Sequence, residues 1–347
     1  MAWVEARYSK NKVKQAGEVL IDKGASEAER LEAMEILSNW RAAHAYPMHA
    51  LLILLRTMAS RVDTTAIVVQ RLKRTPSIIF KLKNQKEMHK QSMSLSRMQD
   101  ISGCRAVVKT VNDVRKLTTI IVDSSTRHKL HRTDDYITNP KESGYRGVHL
   151  VYKYGGLKSE YEDYFVELQI RSKIQHAWAT AVEIIDTFTK QALKANKGKK
   201  DWADFFRFVS VEFSLIEKSK AGKLAFGIDT KAEVIRLSRK LNVVKLLNAF
   251  AVTTQHITKQ TDNRTDYFLL ELTNHASQIT IFQFIPSKLE EATKLYLQKE
   301  EQAKTDKSYD VVLVAANSLH DLKTAYRNYF AESKDFLKYL AQVTTKY

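Results

Sequence analysis

Cysteine is nearly missing from this chain of 347 residues; Cys104 is the only one. That excludes an intramolecular disulfide framework and any multi-cysteine zinc site. The histidines form no HExxH or HxxxH pair, so a zinc-protease helix is not expected either. With 10 Gly and 4 Pro there is little material for flexible linkers or collagen-like repeats. Long apolar runs are also lacking: Ala50–Leu55 is too short to span a bilayer. The first residues, Met1-Ala-Trp-Val-Glu-Ala-Arg, contain no apolar secretory core, so a cytoplasmic protein without membrane partners is expected. Acidic residues are in deficit, 39 against 56 Lys plus Arg, which leaves a formal charge of +17. Such an excess fits a polyanionic partner, nucleic acid or nucleotide, although a lysine-rich solvated surface gives the same count.

What is present divides into three stretches. The length suits two domains, and 44% hydrophobic residues suffice for real cores. Ser26 is a candidate N-cap for a helix carrying Leu31, Met34, Leu37 and Trp40, interrupted near Pro47 and followed by a second apolar helix. From Thr65 the pattern becomes mixed. Strands are expected at Ala66–Val69, Arg105–Thr110, Ile120–Val122, Gly147–Tyr152 and Tyr164–Ile170. Thr75-Pro76 reads as the N-cap and first residue of a helix, and another helix begins near Ser172. Ala192–Lys200 is a linker-like basic run, followed by helix from Trp202 to Asn248. The last hundred residues predict strands at Phe250–His256, Asp266–Thr273, Ile279–Phe284 and Asp310–Ala315, with helices at Ser287–Lys304 and Leu319–Leu340. The expected fold class is α/β (α+β), with a sheet-centred core and a small α+β domain at the end. The boundaries read as 1–195, 196–245 and 246–347.

Four short motifs carry candidate chemistry. Arg71 and Lys73 lie two apart on a strand, so they share a face, while Ser77 and Lys81 lie four apart on the next helix and do the same. Ser77 sits in a first turn, where free N–H groups favour phosphate. No GxxxxGK[ST] loop occurs, and exposed lysines on an amphipathic helix give the same pattern. Asp100 precedes the strand that begins near Arg105; it is placed to hold Mg²⁺ or simply to make a turn. In Lys141-Glu-Ser-Gly-Tyr145-Arg-Gly-Val-His149 the Ser-Gly pair predicts a turn that presents Tyr145 for stacking on a base; a buried tyrosine is the alternative. Finally, Val166, Leu168 and Ile170 alternate with Glu167, Gln169 and Arg171, so one face is core and the other polar. Asp100 and Glu167 are the two carboxylates that a Mg²⁺-dependent phosphoryl transfer needs.

The order R-x-K-x3-S-x3-K, D-x4-R, K-x2-GYR-x2-H and VELQIR-x4-HAWA resembles the synthetase domain of the RelA/SpoT alarmone family, from about Thr65 to Ile185. The resemblance implies a nucleotidyltransferase-like core that moves pyrophosphate from ATP to a ribose 3′-hydroxyl and releases AMP. It implies that Arg71 and Arg105 hold adenine and that Lys73, Ser77 and Lys81 hold the phosphates of ATP. Asp100 and Glu167 would be the catalytic carboxylates and hold Mg²⁺, with Glu167 also activating the attacking hydroxyl. Lys141, Tyr145, His149, Gln169 and Arg171 would line the acceptor cleft. Trp178 in the HAWA signature reads as core, and His176 is left open.

The whole chain is similar to the fused toxin–antitoxin branch of that family, the CapRel type. That likeness implies the tRNA 3′ adenosine as acceptor, a pseudo zinc-finger C-terminal domain without zinc, and release by a phage capsid-type protein. It also implies an autoinhibitory YxxY pair, Tyr326 and Tyr329, that plugs the ATP site. Candidate tRNA-binding lysines are Lys10, Lys12, Lys14, Lys194, Lys197, Lys199 and Lys200. Two other readings stand beside this one: a small alarmone synthetase acting on GDP or GTP, and a catalytically inactive RNA-binding regulator.

Overall fold

The computed structural model describes residues 3–89, 94–192, 199–220, 227–248, 267–273, 278–288, 291–292, 294–296, 298–299, 302, 310–315 and 329–345. The chain divides into two compact units, each described by itself. The first comprises Met1–Ile137 and Gly147–Lys173; the second comprises Thr138–Arg146 and Ile174–Tyr347.

The first unit opens with helices α1 (Lys10–Val19), α2 (Glu27–Ala43) and α3 (Ala45–Val62). Ser26 caps α2 in a full capping box: its hydroxyl accepts from the Glu29 N–H, and Glu29 answers on the Ser26 N–H. The break between α2 and α3 falls at His44, three residues ahead of Pro47, which lies in the first turn of α3, where its missing N–H costs nothing.

Next come β1 (Ile67–Leu72), α4 (Thr75–His89), β2 (Ser102–Val108), α5 (Val111–Val122), β3 (Lys129–Asp135), β4 (Val148–Lys153) and β5 (Phe165–Ser172). The five strands form one sheet in the order β1-β2-β5-β4-β3, parallel between β2 and β5 and antiparallel elsewhere. Cys104, Ala106 and Val108 share one face with Val148, Leu150, Tyr152, Val166, Leu168 and Ile170, and all are buried. Helices α3 and α5 cover that face: Cys104 Sγ reaches the Met48 carbonyl, and the Tyr152 hydroxyl donates to the Ile121 carbonyl. The opposite face carries the polar row.

Two expectations need correction here. Ile120–Val122 is the end of α5, not a strand. Thr110 and Asp113 form a capping box that starts a helix, and Val114, Leu117 and Ile121 bury along one side of it. Strand β3 was not foreseen because its sequence, KLHRTDD, is polar and its first five residues are exposed; it is an edge strand with solvent on both faces. A smaller shift concerns α4. Its first bond runs from the Ile78 N–H to the Arg74 carbonyl, so the helix starts one residue earlier than Thr75-Pro76 suggested.

In the second unit, α6 (Lys173–Ala192, its first residue in the first unit), α7 (Lys199–Ile216), α8 (Thr230–Lys240) and a C-terminal helix, α9 (Tyr329–Thr344), share a core. Its centre is aromatic: Trp178, Phe205, Phe206, Phe208, Phe213 and Phe336 are all buried. The expected helical stretch from Trp202 to Asn248 holds α7 and α8. Strands β6 (Tyr267–Thr273), β7 (Gln278–Phe284) and β8 (Asp310–Ala315) form an antiparallel sheet in the order β7-β6-β8. The expected strand Phe250–His256 and Tyr326 lie outside the described residues, whereas within the expected helix Ser287–Lys304 residues 291–292, 294–296, 298–299 and 302 are helical. Among the described residues no helix is long and apolar enough to cross a membrane.

Candidate active site

Sheet register explains why residues far apart in sequence meet on the polar face of the first unit. Val69 and Arg71 of β1 pair with Arg105 and Gly103 of β2. Gly103 and Arg105 pair in turn with Glu167 and Gln169 of β5, and Gln169 pairs with His149 of β4. Laterally paired residues point to the same side of a sheet, so Arg71, Arg105, Glu167, Gln169, Arg171 and His149 share one surface.

Two hydrogen-bonded groups stand out. In the first, Asp100, in the turn ahead of β2, accepts from Lys73 Nζ and Lys81 Nζ on the same Oδ2 atom, each at 2.8 Å. Burial pushes the Asp100 carboxyl up, but the two ammonium groups outweigh it and hold the group below the usual carboxylate range. The other oxygen, Oδ1, is buried and accepts no hydrogen bond. Lys73 is anchored through its backbone: its N–H donates to the Ile101 carbonyl at 2.7 Å, and its carbonyl accepts from Arg41 Nε of α2 at 2.7 Å. Ser77, half-buried, is the third residue of α4, one turn before Lys81.

In the second group, Glu167 Oε1 lies 2.8 Å from His149 Nδ1, and Oε2 accepts from Gln169 Nε2 at 2.7 Å. Arg171 Nη2 donates to Gln169 Oε1 at 3.2 Å, which fixes the orientation of that amide. Burial raises the Glu167 carboxyl, yet the His149 and Gln169 contacts and the charge of Lys81 prevail and bring it to about 2. Tyr136 sets its ring edge-on to His149, with centroids 5.2 Å apart.

Lys141 and Tyr145 belong to the second unit. Tyr145 is half-buried there against the aromatic core, 6.4 Å from the Trp178 ring, with Lys141 Nζ 5.3 Å from its centroid. Trp178 is core, as read from the sequence, and donates from Nε1 to the Phe206 carbonyl. His176 is buried as well. Tyr329 opens α9, while Tyr326, Lys194 and Lys197 lie outside the described residues.

Sequence reasoning passed over two residues at this site. Arg41 holds the Lys73 carbonyl from a helix more than thirty positions upstream, and no local pattern marks it. Gly103 leaves room beside Glu167, because a Cβ there would meet the Glu167 carbonyl oxygen at 3.2 Å. The lone glycine at the mouth of a strand was its available signal.

A Mg²⁺ ion suits this donor set. The ion is content with one or two carboxylates plus substrate phosphates and water, and the orphaned Asp100 Oδ1 is an acceptor with no other partner. Among the described residues no group of three or more His, Cys, Asp or Glu side chains is placed to hold a metal.

Residues 70–186 match the profile of the region found in RelA / SpoT proteins. The chain is 32% identical over 91 residues to the GTP pyrophosphokinase of Escherichia coli strain K12, a match that covers 26% of this chain and 11% of that protein. It is 34% identical over 87 residues to the GTP pyrophosphokinase YjbM of Bacillus subtilis strain 168, covering 25% of this chain and 41% of the relative. The chain therefore spans about a tenth of the first relative's length and under half of the second's. Among solved structures, Bacillus subtilis small alarmone synthetase 1 bound to its product pppGpp aligns with a TM-score of 0.40 at 24% identity, over 50% of this chain and 90% of that one. A GTP pyrophosphokinase family protein from Streptococcus pneumoniae aligns with a TM-score of 0.39 at 26% identity, over 49% and 87% of the two chains.

Proposed function

We propose that the chain is an ATP-dependent pyrophosphokinase of RelA/SpoT type. A ribose 3′-hydroxyl attacks the β-phosphorus of ATP, the bond from that phosphorus to the α–β bridging oxygen breaks, and AMP leaves. The observation that carries this reading is the pairing of Lys73 and Lys81 on Asp100 in the same unit as the Glu167–His149–Gln169 group. Phosphoryl-type transfer needs positioning and charge neutralisation more than a covalent nucleophile. Lys73 and Lys81 supply cations that can pass from Asp100 to incoming phosphates, and Ser77 adds a hydroxyl in the first turn of α4. Arg71 and Arg105, which share one face of the neighbouring strands β1 and β2, would offer guanidinium planes for adenine.

Asp100 and Glu167 would hold Mg²⁺, which would supply charge neutralisation to the substrate phosphates. A carboxyl brought to about 2 stays ionised through the physiological range. That suits Glu167 to bearing charge and orienting the hydroxyl better than to storing its proton. For the acceptor, Tyr145 would stack on the base, and the resemblance assigns Lys141, His149, Gln169 and Arg171 to acceptor binding.

For the acceptor, the net charge of +17 favours the tRNA 3′ adenosine. The relatives named GTP pyrophosphokinase favour GDP or GTP as the second reading. Resemblance to the toxin–antitoxin branch adds restraint by Tyr326 and Tyr329 and release by a phage capsid-type protein to the same proposal. Incubation with γ-³²P-ATP and either deacylated tRNA or GDP separates the readings. Label on the tRNA 3′ end supports the first, label on GDP the second, and label on neither, with the wild type and with Tyr326→Ala alike, removes the pyrophosphokinase reading.

A further inference from the structure

The loop that carries Lys141 and Tyr145 is fastened to a helix beyond the matched region. Within the loop, the Gly144 N–H donates to the Lys141 carbonyl at 2.8 Å, and the Lys141 N–H donates to the Tyr145 carbonyl at 3.2 Å. Gly144 has φ +93°, a left-handed conformation that favours glycine. A Cβ on it would meet Ser210 Cβ at 3.0 Å, Arg207 Cα at 3.1 Å and Trp178 Cζ2 at 3.2 Å. The loop backbone is therefore seated directly on α7 and α6. Ser210, 2% exposed and projecting from α7, donates from Oγ to the Gly144 carbonyl at 2.5 Å. The same oxygen accepts from Arg146 Nε at 3.1 Å, and Arg146 Nη1 reaches the Lys220 carbonyl at 2.9 Å. Ser210 thus ties both sides of Tyr145 to one helix.

We infer that Ser210 is a positioning residue for the acceptor loop, setting where Tyr145 stands without touching a substrate. This rests on the pyrophosphokinase reading for the role of Tyr145, but the bolt itself is independent of it. A hydroxyl that both donates and accepts inside a buried site cannot be replaced by a methyl without leaving a carbonyl and a guanidinium nitrogen short of a partner. The cost should fall on acceptor binding, because Lys73, Ser77 and Lys81, the expected ATP contacts, lie on the β1–α4 junction and on α4 and not on α7.

The test is Ser210→Ala in the full chain, read in two ways. Hydrogen–deuterium exchange should show the Gly144 and Tyr145 amides exchanging about tenfold faster while the amides of β5 are unchanged, the scale of one lost hydrogen bond. Steady-state kinetics, with the acceptor that labels, should show KM for that acceptor rising about tenfold with KM for ATP unchanged. Arg146→Lys, which keeps the charge but loses the Nε bond, should shift both readouts in the same direction and serves if the alanine variant fails to fold. Unchanged exchange in the loop, or KM rising equally for ATP and acceptor, overturns the inference. If neither the wild type nor Tyr326→Ala transfers label to either acceptor, the pyrophosphokinase reading fails, while the exchange measurement still decides whether Ser210 holds the loop.

Discussion

Replacing Glu167 by Gln removes one charge and almost no volume, and its effects on stability can be worked from the site. In the folded protein this carboxyl is brought from an ordinary 4.5 to about 2. A folded pKa below the unfolded one means that stabilisation is fully present above the unfolded value and is lost as pH falls through the folded one. The window is therefore pH 4.5 down to about 2. At about 1.4 kcal/mol per unit, the ionised carboxylate contributes on the order of 3 kcal/mol at neutrality. The glutamine variant lacks that contribution at every pH. At pH 7 its melting temperature should be lower by roughly 6–12 °C, using about 2–4 °C per kcal/mol for a unit of this size. Toward pH 2 to 3 the two proteins should converge, because the wild-type carboxyl is then protonated too. Turnover should fall by about 10²–10³-fold, the scale of losing one preorganised electrostatic partner. Thermal melts from pH 7 to pH 2.5 and initial rates with labelled ATP measure both. A melting difference constant across that range, or wild-type turnover, would refute the reasoning.

Three further outcomes are expected. Buried His44, whose Nδ1 faces the Trp40 carbonyl at 2.7 Å, is pushed down from 6.5 to about 4 by burial; stability should drop as pH falls from about 6.5 to 4, and His44→Gln should flatten that part of a denaturation series, so an unchanged slope counts against it. If tRNA is the acceptor, its affinity should fall on the order of 10³-fold between about 50 and 200 mM salt for six phosphate contacts, measured by filter binding; a flat response rules out a backbone-driven complex. Tyr326→Ala should release toxicity in cells without a trigger and Glu167→Ala should cancel it, whereas a silent, folded Tyr326→Ala protein that still answers its trigger removes the plug.

Much of the first unit was legible because its signals are local. Ser26 with Glu29, and the alternation through Val166, Leu168 and Ile170, each fix an element within a few residues. Ile120–Val122 misled because three β-branched residues look alike in strand and helix, and the deciding box at Thr110 and Asp113 stands seven or more positions earlier. Strand β3 has no apolar face to read; it exists because β4 offers it a partner. At the site, residue types and spacing pointed to Lys73, Lys81 and Asp100, and their shared Oδ2 contact follows from adjacent elements. Arg41 and Ser210 act through backbone carbonyls, and a carbonyl has no identity in a sequence. No motif could have named them.

The seat of Gly144 on Ser210 and Trp178 bears on how this chain can be cut. A profile match ending at residue 186 invites the idea of a transplantable module. Such a fragment would keep Gly144 and Arg146 but discard Ser210, Arg207 and the Lys220 carbonyl that complete their surroundings. It would also bare the apolar side of α6 around Trp178, Ala181 and Ile184, which is buried among Phe205, Val209 and other residues beyond the cut. A patch of that kind in solvent favours aggregation. For grafting or expression of a minimal piece, the indivisible length includes α7, α8 and α9, whose buried residues share one core with α6.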